Sequence, residues 1–228
     1  MKGLSFFITL FLCSLVNAEI THFERGLDLY DQRGKDAVGL QANNEHIDRS
    51  IDQFLKAMKV PDSELDAGVY LLKCYYYKGK FIATTDEEKK ANFNEGKSLG
   101  EQLIDLYPNA PSTYYWYLVN LGSWAEIYGI FAAAKEGVAN TMRTFSNKII
   151  ELDSNYSDGG GYFMLGAVHF KSPYIPFILS WPSDQQALKY LSLAYDTGAS
   201  TPNQTVYLAR ALYKNGQKQK AISLLSSL

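Results

Sequence analysis

Three histidines, two cysteines and scattered hydroxyls are what this chain offers for bond-making chemistry, and none is spaced for it. His22, His46 and His169 stand far apart, and none has a second His or Cys at metal-ligand spacing. No Gly-x-Ser-x-Gly elbow, His-Glu-x-x-His pair or phosphate-binding loop occurs in the sequence. Gly159-Gly160-Gly161 has the freedom of a phosphate cradle, but no Lys-Ser or Lys-Thr follows it. It reads instead as a turn into a helix whose backbone packs closely on a neighbour. His169 falls on an apolar helical pattern, where a hydrogen-bonded packing histidine is expected rather than a ligand. The expectation is a chain without catalytic residues, metal or cofactor.

The chemistry that remains is recognition by buried surface. Aromatic side chains make up 14% of the sequence, and much of that share is concentrated in Tyr75–Tyr77, Tyr114–Trp124 and Phe170–Trp181. The run Tyr114-Tyr115-Trp116-Tyr117 places rings all around a helix, so some must fill a core while others face a groove or a partner. Tyr and Trp bring large area with a polar tip, which suits a binding surface. The segment Lys171 to Ser183 is the most unusual. Pro173, Pro176 and Pro182 forbid a regular helix. Tyr174, Ile175, Phe177, Ile178, Leu179 and Trp181 are nevertheless large and apolar. Such a loop either folds back over the array or presents an apolar face to a partner or a membrane. Tyr115, Trp116, Trp124, Tyr174, Phe177 and Trp181 are therefore the candidate binding residues, for a partner protein or a hydrophobic small molecule.

These side chains need a scaffold, and the sequence repeats. At the C-terminal end, Leu208-Ala209, Leu212, Gly216, Ala221 and Leu224-Leu225 follow the large-small, large, turn, small, large order of a tetratricopeptide helix-turn-helix. Ala187 lies 34 residues before Ala221, one such period, and is followed by Leu191 and Ala194. Tyr162, Leu165-Gly166 and His169-Phe170 mark the helix before it, and the Lys171–Ser183 segment is an insertion between the two. Upstream, the patterns predict helices over Asn94–Tyr107, Tyr114–Tyr128 and Leu65–Lys78, with Ser50, Phe54 and Ala57 on an earlier one that ends before Pro61. Further insertions fall around Phe81–Glu87 and Phe131–Gly137. Asp86-Glu87-Glu88 with Lys89-Lys90 reads as a solvated helix start with its acids at the positive end of the dipole. The predicted fold is all-α, a TPR-like helix-turn-helix α-solenoid of about five helical hairpins.

Three stretches resemble a known group. They are Tyr114-Tyr115-Trp116-Tyr117 with Asn120-Leu121-Gly122-Ser123-Trp124-Ala125; Ile150-Glu151-Leu152-Asp153 with Tyr156, Gly159-Gly160-Gly161-Tyr162 and Leu165-Gly166; and Lys171-Ser172-Pro173 with Trp181-Pro182-Ser183-Asp184 and Ala187. In that order they resemble the TPR-like T component associated with bacterial TRAP transporters (the TatT family). They are more loosely similar to the TPR domain of eukaryotic regulators of microtubule dynamics. The resemblance covers roughly Leu99–Leu228. It implies an all-helical periplasmic protein that contacts a transporter's substrate-binding protein and holds an apolar ligand in a pore or concave groove. Trp181-Pro182-Ser183-Asp184 stands where relatives often carry Gly-Gly-Asp.

A net charge of −2 gives no electrostatic reason to expect nucleic acid. Lys2 followed by the apolar run Phe6–Val16 and the short residues Val16-Asn17-Ala18 reads as a secretory signal peptide over residues 1–18. Bulky Leu12 before Cys13 argues against a lipoprotein anchor. Cleavage after Ala18 would leave a single TPR-like domain over 19–228, secreted or periplasmic, with Cys74 as its one thiol and no internal disulfide. Cys74 itself reads as a buried small hydrophobe. The function expected is a non-enzymatic binding or adaptor module, with peripheral membrane contact and oligomerisation left open. The alternative is a self-assembling structural protein of the cell envelope that uses the same aromatics.

Overall fold

The repeats become helices where an apolar stripe meets a start signal. A computed structural model describes residues 20–177 and 179–228. The leader expected over 1–18, Cys13 within it, and Ile178 of the insertion lie outside the described residues. Among the described residues there are α1 (His22–Asp31), α2 (Glu45–Ala57), α3 (Glu64–Tyr77), α4 (Asp86–Leu106), α5 (Pro111–Tyr128), the short α6 (Ile130–Lys135), α7 (Val138–Leu152), α8 (Tyr156–Lys171), α9 (Asp184–Tyr195), α10 (Pro202–Lys214) and α11 (Lys218–Leu225). They pair as five hairpins, α1/α2, α3/α4, α5/α7, α8/α9 and α10/α11. The fold is an all-α solenoid, as the repeat predicts. β-Structure among the described residues is limited to two isolated bridges, Val38 with Gln41 and Ile175 with Leu179.

Several starts are written in side chains. Thr21/Glu24, Thr85/Glu88 and Thr201/Gln204 form reciprocal capping boxes that satisfy otherwise orphaned N–H groups. Pro111 and Pro202 open α5 and α10, where a missing N–H costs nothing. The Thr85 box makes α4 begin at Asp86, so the charge run is the helix start its acids suggest, and it runs without a break into the helix expected from Asn94. The insertion expected around Phe81 is a π-helical turn at Lys78–Ile82 that continues α3, and the one around Phe131 is α6.

The order of contacts sets the inner and outer sides. First helices touch successive first helices: α3 meets α5, α5 meets α8, and α8 meets α10. The second helices α4, α7, α9 and α11 pack on first helices and make no comparable contact with one another. Helices that touch along a stack lie on its shorter, inner side, so α3, α5, α8 and α10 line the inner face. Each new first helix also sits in the groove between the two helices of the hairpin before it: α5 on α3 and α4, α8 on α5 and α7, α10 on α8 and α9.

The interior splits into a small N-terminal cluster of Ile47, Phe54, Ala57, Ala67, Leu71 and Cys74, and a larger one running from Phe93 to Ala211. Cys74 is fully buried beside Ser50, and burial pushes its thiol up to about 12. Asn120 is buried at the α3–α5 seam, where its amide donates to the carbonyls of Leu72 (3.0 Å) and Trp116 (2.9 Å). At Gly166 on α8, an added Cβ would lie 2.9 Å from the backbone nitrogen of Leu191 on α9. Only a glycine permits that approach.

Candidate functional site

The inner face is built by residues three or four apart on first helices, which therefore share one side of each helix. On α3 these are Tyr70, Lys73 and Tyr76; on α5, Trp116, Val119, Ser123 and Glu126; on α10, Tyr207, Arg210 and Lys214. The rings meet across helices. Tyr76 and Trp116 stand 6.3 Å apart, Tyr115 and Trp116 5.5 Å, and Tyr115 and Tyr156 5.6 Å, all between centroids. Tyr30 and Phe23 of α1 extend the run onto Tyr70 at 5.4 and 5.8 Å. At the other end, Phe170 lies 6.0 Å from Tyr207.

Backbone geometry at the start of α8 sets Tyr115 and Tyr156. Ser157, Asp158 and Gly159 turn through the left-handed region (φ 52, 55 and 72) before the regular helix begins. Gly160 then runs directly under the Tyr115 ring, where a Cβ would come within 2.5 Å of it. The triglycine thus serves close packing, as its sequence context predicts.

Cations are set among these rings. The Lys73 ammonium lies 3.9 Å from the Tyr70 centroid and 5.4 Å from that of Trp116. Among the described residues no carboxylate comes within ion-pair distance of it, and burial holds it below the ordinary lysine value. Glu126 binds both Lys80 (3.8 Å) and Lys171. Burial raises the phenols of Tyr70, Tyr76 and Tyr115, and pushes Tyr156 up to about 12. These hydroxyls stay neutral through the physiological range and act as hydrogen-bonding tips on apolar rings.

The structure does not gather the six expected residues at one place. Tyr115 and Trp116 lie in the inner-face cluster. Trp124, expected at the binding surface, is instead in the core at 6% exposure. It stacks on Tyr128 at 4.3 Å, and its indole N–H donates to Asn94 (2.8 Å), because its position on α5 faces α4. Trp181 folds back, half-buried. Its N–H donates to Asn140 (2.9 Å), its ring meets His169 edge-on (4.9 Å), and the Arg143 guanidinium sits 4.8 Å away. Tyr174 and Phe177 point outward. Reciprocal hydrogen bonds between Ile175 and Leu179 (2.9 and 2.8 Å) close a tight turn with fully exposed Phe177 in the left-handed region at φ 65. That is a strained conformation for a bulky side chain. The insertion therefore both folds back and protrudes. Tyr70, Lys73, Tyr76, Tyr156 and Tyr207 belong to the inner face and are not among the six. Helical spacing links Tyr70, Lys73 and Tyr76 within α3, whereas Tyr156, just before the left-handed turn that opens α8, carries no such signal.

His169 is held in packing contacts. Its Nδ1 accepts the Ser183 N–H (3.2 Å), and its ring stacks on Tyr190 at 5.8 Å. Burial, then the charge of Arg143, hold the imidazole below its ordinary value. A proton at Nδ1 would break the bond that seats the return of the insertion at the N-cap of α9. Because the unfolded chain then takes up the proton more readily, this stability is complete above about pH 6.5 and declines as pH falls toward the depressed folded value. The loss of Tm between about pH 7.5 and 5.5 should accordingly be smaller in His169→Asn than in the wild type. Equal losses would show that the histidine does not couple to folding. Among the described residues no three His, Cys, Asp or Glu side chains stand close enough to hold a metal ion. Nor is any described helix long and apolar enough to cross a membrane.

No protein-family model and no curated protein matches the sequence. Among solved structures the chain is similar to TTC0263, a thermophilic TPR protein of Thermus thermophilus, with a TM-score of 0.61 at 14% identity over 90% of this chain and 87% of that one. It is also similar to a MamA protein, with a TM-score of 0.51 at 13% identity over 90% of this chain and 88% of that one. At such identities the likeness is one of fold, and it agrees with the TPR-like solenoid.

Proposed function

We propose that the chain is a non-enzymatic binding module whose inner face captures a segment of a partner protein. The observation that supports this reading is the run of rings from Tyr70 through Trp116 to Tyr156, with the half-buried Lys73 set among them. Flat apolar surface, neutral hydroxyl tips and a cation without a carboxylate suit a segment carrying apolar side chains and an acidic group. An apolar small ligand would use the same rings. Secretion to the periplasm and contact with a transporter's substrate-binding protein, which the TatT-like stretches imply, belong to the same proposal. Phe177 and Tyr174 on the protruding turn would then be a second contact of the same partner.

Site-specific photo-cross-linking in the native cell tests it. A photoreactive residue at Val119 on the inner face should give one dominant adduct, and the same residue at exposed Asn147 on α7 should not. Trp116→Ala should reduce the adduct roughly tenfold, the scale of a lost aromatic anchor, without changing helical content. Phe177→Ala should weaken it less. Cross-linking of equal yield at both positions, or indifference to Trp116→Ala, would overturn the site. A product twice the chain's own mass would favour the self-assembling alternative.

A further inference from the structure

The C-terminal end of the array differs in charge and in surface from the rest. From Thr197 to Leu228 the chain holds Arg210, Lys214, Lys218 and Lys220 and no Asp or Glu, although acids exceed bases over the whole sequence. The same end carries an open groove of about 510 Å³ between α10 and α11. Ala209, Ala221, Ile222 and Leu225 form its floor, with Arg210 and Lys214 at the rim. Ile222 and Leu225 are 56% and 47% exposed, so apolar surface faces solvent there.

The array itself shows what such a groove takes. Between α3 and α4, between α5 and α7, and between α8 and α9, the corresponding groove is filled by the first helix of the next hairpin. Each of those fillers is a helix with an apolar face. Nothing among the described residues fills the α10–α11 groove. We propose that it docks an amphipathic helix of a partner protein, apolar toward Ile222 and Leu225 and acidic toward Arg210 and Lys218.

The rim is prepared for acidic groups. Arg210 rests over Phe170 (5.1 Å) and Tyr207 (5.9 Å), and Lys218 lies 5.5 Å from the Tyr213 ring. Neither has a carboxylate in ion-pair range among the described residues, whereas Lys214 is paired with Asp184 at 2.6 Å. A second copy of the chain fits poorly. Joining two such ends would bring like charges together across a low-dielectric contact. The groove at the opposite end, between α1 and α2, sets one leucine, Leu29, among the mixed charges of Arg25, Asp28, Arg49 and Asp52.

The test uses the full chain and two synthetic helical peptides. Both carry the apolar positions of α10 (Leu208, Ala209 and Leu212), one flanked by glutamates and its twin by lysines. In calorimetric titration the acidic peptide should bind at least roughly tenfold more tightly than the twin, with the difference shrinking at high salt. Leu225→Asp should abolish binding of the acidic peptide. Arg210→Glu leaves the apolar floor and Lys218 in place and should bring the two peptides to nearly equal affinity without abolishing binding, an outcome that misfolding cannot mimic. Equal affinity of the wild type for both peptides, or none for either, overturns the proposal. So does a wild-type dimer that Leu225→Asp dissolves, which assigns the groove to self-association. Binding to phosphatidylglycerol vesicles that the same substitution removes would assign it to lipid.

Discussion

Gly166→Val should cost the array about 3 kcal/mol, read as a lower urea midpoint. At an exposed helical position the loss of a glycine would be stabilising, by up to about 1 kcal/mol. Here the helix has no room for the gain. A Cβ at residue 166 would sit 2.7 Å from the Leu191 Cγ and 2.9 Å from its backbone nitrogen. A side chain can rotate away from such a contact, whereas a main-chain nitrogen moves only with its helix. The α8–α9 hairpin must therefore open, and Leu191 and Ala194, both buried, lose their packing. Because α10 rests on α8 and α9, the C-terminal hairpin should loosen with it. Hydrogen exchange in α9 and α10 should accelerate together, while α2 and α3 stay protected. A variant as stable as the wild type would mean that α8 and α9 do not approach this closely.

Phe54→Ala should cost a similar or larger amount, about 3–5 kcal/mol, but at the other end and with a local outcome. Phe54 is fully buried, stacks on Tyr70 at 5.1 Å and meets Phe23 at 5.7 Å. Its ring also fills the space that Gly26 leaves open on α1. Truncation removes the piece on which the first hairpin closes, and among the described residues that hairpin packs on the second hairpin alone. Cys74 lies in the same cluster, so its alkylation by iodoacetamide reports the opening. The wild-type thiol should react very slowly, and the variant far faster, with exchange in α8 to α11 unchanged. Unaltered Cys74 protection, or loss of the whole array in one step, would contradict this localised response.

The scaffold was legible because its demands are local. Ala187 and Ala221 mark a period in the sequence, and both prove buried where α9 and α11 need a small residue against their partners. Where legibility failed, a side chain outside the repeat pattern decided the matter. Thr85 and Glu88 start α4 by hydrogen bonding; the charge run marked that start, but without an apolar stripe it did not show that the helix continues unbroken through Asn94 to Leu106. The binding face was harder for a related reason. Runs such as Tyr114–Tyr117 attract notice, but a run circles its helix, and its members turn to different neighbours. Tyr114 and Tyr117 go to the core, Tyr115 and Trp116 to the inner face. The inner face takes residues at helical spacing from helices far apart in sequence, so Tyr70, Tyr76 and Tyr207 come together only once the stacking order is known. The insertion was ambiguous for a different reason. Composition could not show that Ile175 and Leu179 pair, or that the pairing would send Trp181 inward and Phe177 out.

The side-by-side contact of the first helices also has a mechanical meaning. Among the described residues the five hairpins pack mainly on their immediate neighbours and so behave as springs in series, the compliance being a sum over four joints rather than a property of any one. A small rotation shared among these joints leaves every local contact nearly intact, yet it accumulates into a large change of pitch between the ends. A guest that bridges several first helices would stiffen the joints it spans, and the protein's elasticity would then record how many of them are occupied.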